Sequence, residues 1–482
     1  MKNTLLIFLT CLTHISWTQT TGFQISINDN KSFNYPASCI EGYNNDLIVS
    51  RRVGNFLTEE TSTIISSIDM QGNIIQNKRI EFDTLSILQI QLVKSKKNIY
   101  GFAMSVSKNL KNFYLDVLKF DSNFNIISQS GHLYSDLFSD CSVIEDTLQN
   151  NFLVTSAEII DNVKISFKTT FRRFDYNGNQ VNVSEYPPFD FSNNVILVHN
   201  SLNKIVCGHS GYLIVSPDDQ ILENYILPSN IGSQGNIKWL KDSTYLHIGR
   251  DEYKIGLCMF EIGKPAKKTI LLDKLFPDND YVEFPAFLVP IDFIKPNKIF
   301  FSGISNVGTN QTANFESTDK SKIIIGQIDD NLKTIWTRYF GGDAYYATIG
   351  TLATSDGGCV VTATRYDSNK PNQTSMYIIK VNDKGEVTAT TDIPDEYTQL
   401  IAYPNPGNDV IHVKVPFQVI ENNQVLDFDL FDLQGKKVLT TSQTIDNQKV
   451  EINIGNQIPS GSYLFVLKKN RQVLGTGKWI KL

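Results

Sequence analysis

Several things are scarce or missing in this 482-residue chain, and each excludes a class of protein. Beyond the N-terminus no run approaches the roughly 20 apolar residues that a helical bilayer crossing needs, so no transmembrane segment is expected. Lys and Arg total 44 against 50 Asp and Glu, for a net charge of −6, with no basic stripe, which argues against a nucleic-acid partner. Only 6 cysteines occur. The five beyond the N-terminal segment, Cys39, Cys141, Cys207, Cys258 and Cys359, are odd in number and widely spaced. They form neither a disulfide framework nor a zinc pattern and read as buried thiols in strands.

Catalytic signatures are equally thin. His132, His199, His209, His247 and His412 are scattered, with no H-E-x-x-H and no second histidine at ligand spacing. Gly208-His209-Ser210-Gly211 lacks the full Gly-x-Ser-x-Gly pattern and the strand-to-helix elbow that makes such a serine reactive, so it reads as a turn. The paired acids Glu59-Glu60, Asp218-Asp219 and Asp329-Asp330 fall in expected loops or turns, where solvated carboxylates are ordinary. Asp121-Ser122-Asn123-Phe124-Asn125 imitates part of a calcium loop but lacks the later bidentate Glu and the sharp-turn Gly. No cofactor or metal is therefore expected.

What is present is β structure. Phe, Tyr, Asn, Ser and Thr are plentiful and alanine-rich helical faces are not. Residues 22–396 repeat a unit: an apolar strand, a variable loop, a second strand ending near Asp, a tight turn and a third strand. Examples are Asp46–Ser50 with Thr63–Ile75, Asn98–Ala103 with Tyr114–Ile127, and Asn151–Thr155 with Phe171–Val181. Drifted copies follow from Lys204, Thr244, Lys298 and Cys359, and Leu88–Leu92 and Tyr345–Ile349 supply an extra strand ahead of their units. From Asp69 to Asp121 to Asp175, and from Asp329 to Asp383, the spacing is a little over fifty residues, room for four short antiparallel strands. Seven such units predict a seven-bladed β-propeller, since radial stacking buries both faces of each sheet. Two stacked β-sandwiches are the alternative. Asp or Asn followed by Gly, as in Asp175-Tyr176-Asn177-Gly178 and Asp383-Lys384-Gly385, explains the turns, because these residues satisfy their own backbone and tolerate left-handed φ.

The chain ends differently. Tyr403-Pro404-Asn405-Pro406 contains two residues without backbone donors, which predicts an extended linker over 397–407. Past it, period-2 alternation at Ile411, Val413 and Val415, at Leu426, Phe428 and Leu430, and at Tyr463, Phe465 and Leu467 predicts a small β-sandwich over 408–482. Its ordered pieces are Tyr-Pro-Asn-Pro, Phe431-Asp432-Leu433-Gln434-Gly435-Lys436-Lys437-Val438, Pro459-Ser460-Gly461-Ser462-Tyr463 and Gly477-Lys478-Trp479-Ile480-Lys481-Leu482. Together they resemble the type A C-terminal sorting domain of the type IX secretion system. The resemblance implies a sandwich that carries an exported protein through outer-membrane secretion machinery and is usually cleaved as the cargo is released or surface-linked. It marks Pro404, Asn405, Pro406, Asp432, Gly435, Lys436, Gly461, Tyr463 and Lys478 as the sorting signal. The stretch Gly341-Gly342-Asp343 leading to Ser355-Asp356-Gly357-Gly358 also resembles the degenerate propeller repeats of such cargo.

Export through that route needs a first signal. Lys2, the apolar run Leu5–Ile15 and the Ser16-Trp17-Thr18 cleavage site form a signal peptide over 1–18, leaving Gln19 as the new N-terminus. The mature protein is then secreted or attached to the cell surface. For the ring itself the expectation is a binding module for a glycan or protein ligand, contacted by the long connections Arg51–Thr61, Ser105–Asn112, Ser305–Lys322 and Arg365–Gln373. A carbohydrate-active hydrolase with acids converging at the ring's mouth is the alternative.

Overall fold

The computed structural model describes residues 22–28, 33–54, 61–107, 112–134, 138–161, 166–186, 195–198, 203–207, 211–227, 231–251, 254–271, 282–307, 320–370, 373–387, 389–394, 398–400, 402–414, 424–432, 436–445, 449–455, 458–469 and 472–482. The signal-peptide segment, Glu59-Glu60, His199, residues 208–210, Gly435 and most of the long connections lie outside them. The described residues are all-β, with strands from Phe23–Asn28 to Gln472–Lys481.

Seven sheets follow one another along residues 33–394. The first has strands Phe33–Glu41, Leu47–Gly54, Thr61–Ile68 and Ile74–Ile80 in sequence order. The second has Leu85–Lys94, Ile99–Ser107, Phe113–Phe120 and Ile126–Tyr134 in the same order. The third (Phe138–Tyr186), fourth (Val195–Ile226) and fifth (Gly232–Leu271) repeat that four-stranded meander. In the sixth, Val282–Pro285 and Ile291–Lys295 both pair with Lys298–Val307, which continues to Lys322–Ile328 and Thr334–Gly341.

The seventh sheet closes the ring. Its strands Tyr345–Ala353, Cys359–Tyr366 and Thr374–Val381 are joined by the N-terminal strand Phe23–Asn28, antiparallel to Thr374–Val381, and then by Ala389–Pro394 in parallel. The first strands of successive sheets are neighbours, with Ile291–Lys295 taking that place in the sixth sheet, and Tyr345–Ala353 returns to Phe33–Glu41. These strands surround the ring's centre, and the fold is a β-propeller. The chemistry follows the geometry: buried apolar clusters fill the seams, two of them between the sixth and seventh sheets. Ile48, Ile65 and Ile80 pack on Ile90, Leu118 and Phe120 between the first and second sheets. Phe23, Ile25 and Ile27 with Ile378 pack on Leu47, Val49 and Ile68 between the seventh and first. Strands buried on both faces explain runs such as Ile99–Val106, buried at every position.

The tight turns are one device used repeatedly. At Asp69 the backbone N–H donates to Asn73 O and Gly72 N–H donates back to Asp69 O, while Asp69 Oδ1 accepts the N–H groups of Gln71 and Asn73. The same pattern recurs from Asp121, Asp175, Asp329 and Asn382. Its fourth residue sits at positive φ: Gly72 at 91°, Phe124 at 55°, Gly178 at 85°, Leu332 at 59° and Gly385 at 75°. The repeat position near residue 383 is thus filled by Asn382, one residue before Asp383, and in the fourth sheet by Ser216. The Asp121 carboxylate, the one with a calcium-like sequence, is engaged by Asn123 and Asn125 N–H groups and the Asn125 amide, as the turn requires.

The C-terminal unit is a sandwich of a five-stranded and a three-stranded sheet around Ile411, Val413, Phe428, Ile452, Phe465 and Trp479. Here the structure departs from an extended linker over 397–407. Thr398–Gln399 pairs in parallel with Gly475 and Thr476, and Ala402–Tyr403 pairs with Val413 and His412. Proline removes its own donor, but its neighbours keep theirs, and those neighbours make the ladder.

Candidate functional site

Four of the nine residues expected from the sequence to form the sorting signal, Pro404, Asn405, Pro406 and Lys478, gather where the two ends of the sandwich meet. The Tyr403-Pro404 and Asn405-Pro406 bonds are cis. The Pro404 carbonyl accepts Trp479 Nε1–H at 2.9 Å. Asn405 reads the last strand with its whole amide: Nδ2 donates to Lys478 O at 2.9 Å and Oδ1 accepts Ile480 N–H at 3.0 Å. Gly407 continues the pairing, donating to Ile480 O and accepting Leu482 N–H. Close approach requires glycine twice: a Cβ on Gly407 would meet Pro404 O at 2.7 Å, and one on Gly477 would meet Leu400 O at 2.4 Å. Pro404, Asn405, Pro406 and Lys478 therefore form one surface, with Lys478 exposed.

The other signal residues stand apart from it. Asp432 builds the repeated turn, exchanging backbone and side-chain bonds with Lys436. Tyr463 donates its hydroxyl to Pro459 O at 2.7 Å, with Gly461 ahead of it at φ 158°. Trp479, fully buried, together with Gly407 and Gly477, joins the set named from sequence. Gly477 and Trp479 stand in the terminal motif Gly477–Leu482, but their contacts with Leu400 and Pro404 depend on strand pairing across the sandwich. On the outer side of the same sheet, burial pushes the Asp429 carboxyl up. Hydrogen bonds from Lys468, Thr440 and Lys437 outweigh that and bring it to about 2.

In the ring many of the located carboxylates are turn builders or seam ties, while others, such as Asp343 with Arg365 and Glu261 with Lys264, pair locally. Asp330 holds Lys241 at 2.6 Å across the fifth and sixth sheets, and Asp292 links Lys238 at 2.6 Å to Ala353 N–H at 2.8 Å. Between the third and fourth sheets lies a buried ionic cluster. Arg173 grips Asp219 with two bonds of 2.5 and 2.8 Å and reaches Asp146 at 3.0 Å and Asn151 at 2.7 Å. Lys204 donates to Asp219 at 2.8 Å and to Ser216 and Pro217 carbonyls. Burial alone would raise the Asp219 carboxyl, but the Arg173 and Lys204 hydrogen bonds lower it. Burial and the neighbouring Arg173 leave the Lys204 ammonium below its usual range, so Arg173 is the stronger partner.

Asp116 behaves differently. Burial holds its carboxyl above the usual range despite hydrogen bonds from Gln129 at 3.0 Å and Ser105 at 3.1 Å. His247 is also buried, neither ring nitrogen has a hydrogen-bond partner among the described residues, and burial pushes its pKa down to about 4. Cys258 and Cys359 are buried thiols, and Cys39 and Cys141 are half-buried thiols. The described residues hold no group of three or more His, Cys, Asp or Glu able to share a metal. They also hold no helix long and apolar enough to cross a membrane.

No curated protein sequence matches the chain. Solved structures similar to it include the Neurospora crassa Pan2 WD40 domain, 11% identical, with 71% of this chain and 89% of that chain covered and a TM-score of 0.42. A second is a Penicillium chrysogenum alpha-L-arabinanase complexed with arabinobiose, 11% identical, covering 77% and 100% with a TM-score of 0.39. A third is Sqt1 from Chaetomium thermophilum, 8% identical, covering 76% and 99% with a TM-score of 0.39. Residues 401–481 match the family of secretion system C-terminal sorting domains, so the sandwich is a sorting domain that directs its cargo to the cell surface or the medium.

Proposed function

We propose that the chain is a type IX secretion cargo whose ring acts outside the cell as a non-enzymatic recognition module for a glycan or protein. In this reading a signal peptide over 1–18 opens the export route. The surface built by Pro404, Asn405, Pro406 and Lys478 then presents the protein to the outer-membrane machinery, with the Asp432–Lys436 turn and Tyr463 supporting the sandwich. The observation that carries the binding reading is the assignment of the ring's carboxylates. Asp69, Asp121, Asp175 and Asp329 build turns, and Asp219, Asp292 and Asp330 tie sheets together. Retaining and inverting glycosidases need a protonated carboxyl facing an ionised one about 5–10 Å away. The raised pKa of Asp116 favours the hydrolase alternative, but that carboxyl is 3% exposed and bonded within its own sheet.

In this reading ligand contact falls to the face served by the second-to-third strand connections Arg51–Thr61, Ser105–Asn112, Ser305–Lys322 and Arg365–Gln373. Recognition through that face is tested by probing the mature protein on glycan and matrix-protein arrays with residues 308–319 deleted. Loss of a bound ligand is expected, and unchanged binding sinks the assignment to those loops. The export half is tested by deleting residues 398–482. A folded ring stranded in the periplasm is expected, whereas arrival at the surface or in the medium overturns it.

A further inference from the structure

On the opposite face, where the tight turns lie, a cleft of about 210 Å³ opens at the seam of the first and second sheets. Its floor is apolar and buried: Ile48, Ile99 and Phe124. Above the floor stand Asn44 and Asn45 from one hairpin, Gln76 from the outer strand of the first sheet, and Ser122 from the Asp121 turn of the second. The Tyr43 hydroxyl is held between the carbonyls of Ser95 and Asn98 in the second sheet, so its ring, 46% exposed, bridges the seam as a wall. Asn45 sits at φ 56°, which fixes the hairpin beside it.

The polar groups are only partly used by the protein. Asn44 and Asn45 are exposed, and their amides make no hydrogen bond to described residues. Gln76 donates Nε2–H to Asn123 O, which leaves its carbonyl oxygen as an acceptor. The charged lining groups are the carboxylates of Asp46 and Asp69, and no lysine or arginine lines the cleft. Asp46 accepts one bond from Ser67 Oγ, and Asp69 accepts through both oxygens within its turn.

We propose that this cleft is a binding subsite for a single neutral sugar ring of a glycan. The apolar floor and Tyr43 suit the C–H faces of a pyranose or furanose, which gain from leaving water. The amides offer donors and acceptors together, and each hydroxyl is both donor and acceptor. Two carboxylates in the lining disfavour phosphate, sulfate or an acidic sugar, and the nearby Lys94 ammonium, 4.8 Å from the centre of the Tyr43 ring, is already bonded to Gly42 O. The volume is below the roughly 300–1,000 Å³ of pockets that enclose drug-sized ligands, so it takes one ring and leaves the rest of a chain outside. The inference rests on the recognition reading and goes beyond it, adding a second contact on the face away from the long loops.

The test uses the intact mature protein, a glycan array and titration with neutral methyl glycosides followed by NMR. Three proteins are compared: the parent, the double variant Asn44→Ala with Gln76→Ala, and Ser122→Trp, which fills the cleft from an exposed turn position. Expected is binding by the parent, a Kd raised tenfold or more by the double variant, and no binding by Ser122→Trp, all with the parent's Tm. Parent-like binding by both variants overturns the cleft while leaving the recognition reading standing. Binding confined to sialylated or sulfated glycans overturns the neutral-sugar class. A parent that binds no glycan and no matrix protein overturns the cleft and the recognition reading together.

Discussion

His247 shows how one side chain sets a pH limit for the ring. It lies on the second strand of the fifth sheet, paired with Ile237 on one side and Cys258 on the other, and is 1% exposed. Burial lowers its pKa from 6.5 to about 4, so the folded protein binds the imidazole proton less readily than the unfolded chain. Stability from this group is complete above the unfolded value and is lost as pH falls from about 6.5 toward 4. At full extent the loss is about 3 kcal/mol. Denaturant titrations of the parent across that window should show it, and His247→Leu should flatten the slope. An unchanged slope in the variant would place the acid sensitivity elsewhere. Nothing around His247 in the sequence announced burial, because the alternation Tyr245, His247, Gly249 is as compatible with a solvated face as with a seam.

Within and between strands, most ties are ordinary hydrogen bonds, such as Ser50 Oγ to Ile90 O at 2.6 Å and Thr348 Oγ1 to Gly303 O at 3.0 Å. The Arg173 cluster is the exception, because four charges lie within a seam at 4% exposure or less. Arg173→Met removes the stronger partner of Asp219 and leaves that carboxylate and Asp146 buried. A loss of about 3–5 kcal/mol is expected in urea unfolding. A double variant, Arg173→Met with Asp146→Leu, should recover part of the loss, since Asp146 is the carboxylate that loses its cation while Asp219 keeps Lys204. The turns were legible as turns because Asp-x-Asn-Gly carries its own mechanism. The partnership of residues 146, 173, 204 and 219 was not, because it depends on which sheets become neighbours.

At the scale of the whole molecule, closure depends on the six-residue strand Phe23–Asn28. Phe23, Ile25 and Ile27 are at most 1% exposed and join the last sheet of the ring to the first. Ile25→Ala should therefore cost about 2–5 kcal/mol and lower the unfolding midpoint of the entire ring. The comparison Ile75→Ala, at a residue 62% exposed on an outer strand, should change stability by about 0.5 kcal/mol or less. Equal effects would mean that the N-terminal strand does not close the ring. The sequence by itself determined the strand class, the unit length, the turns and the sorting motif, because alternation, turn chemistry and local order act within a few residues. Tertiary structure alone decided that Phe23–Asn28 belongs beside Thr374–Val381, that Tyr403-Pro404-Asn405-Pro406 is held by Trp479 and Ile480, and that Tyr43 meets Phe124 across a cleft. Those contacts join residues far apart in the chain, and in β structure such pairings are fixed by burial and register rather than by any local preference.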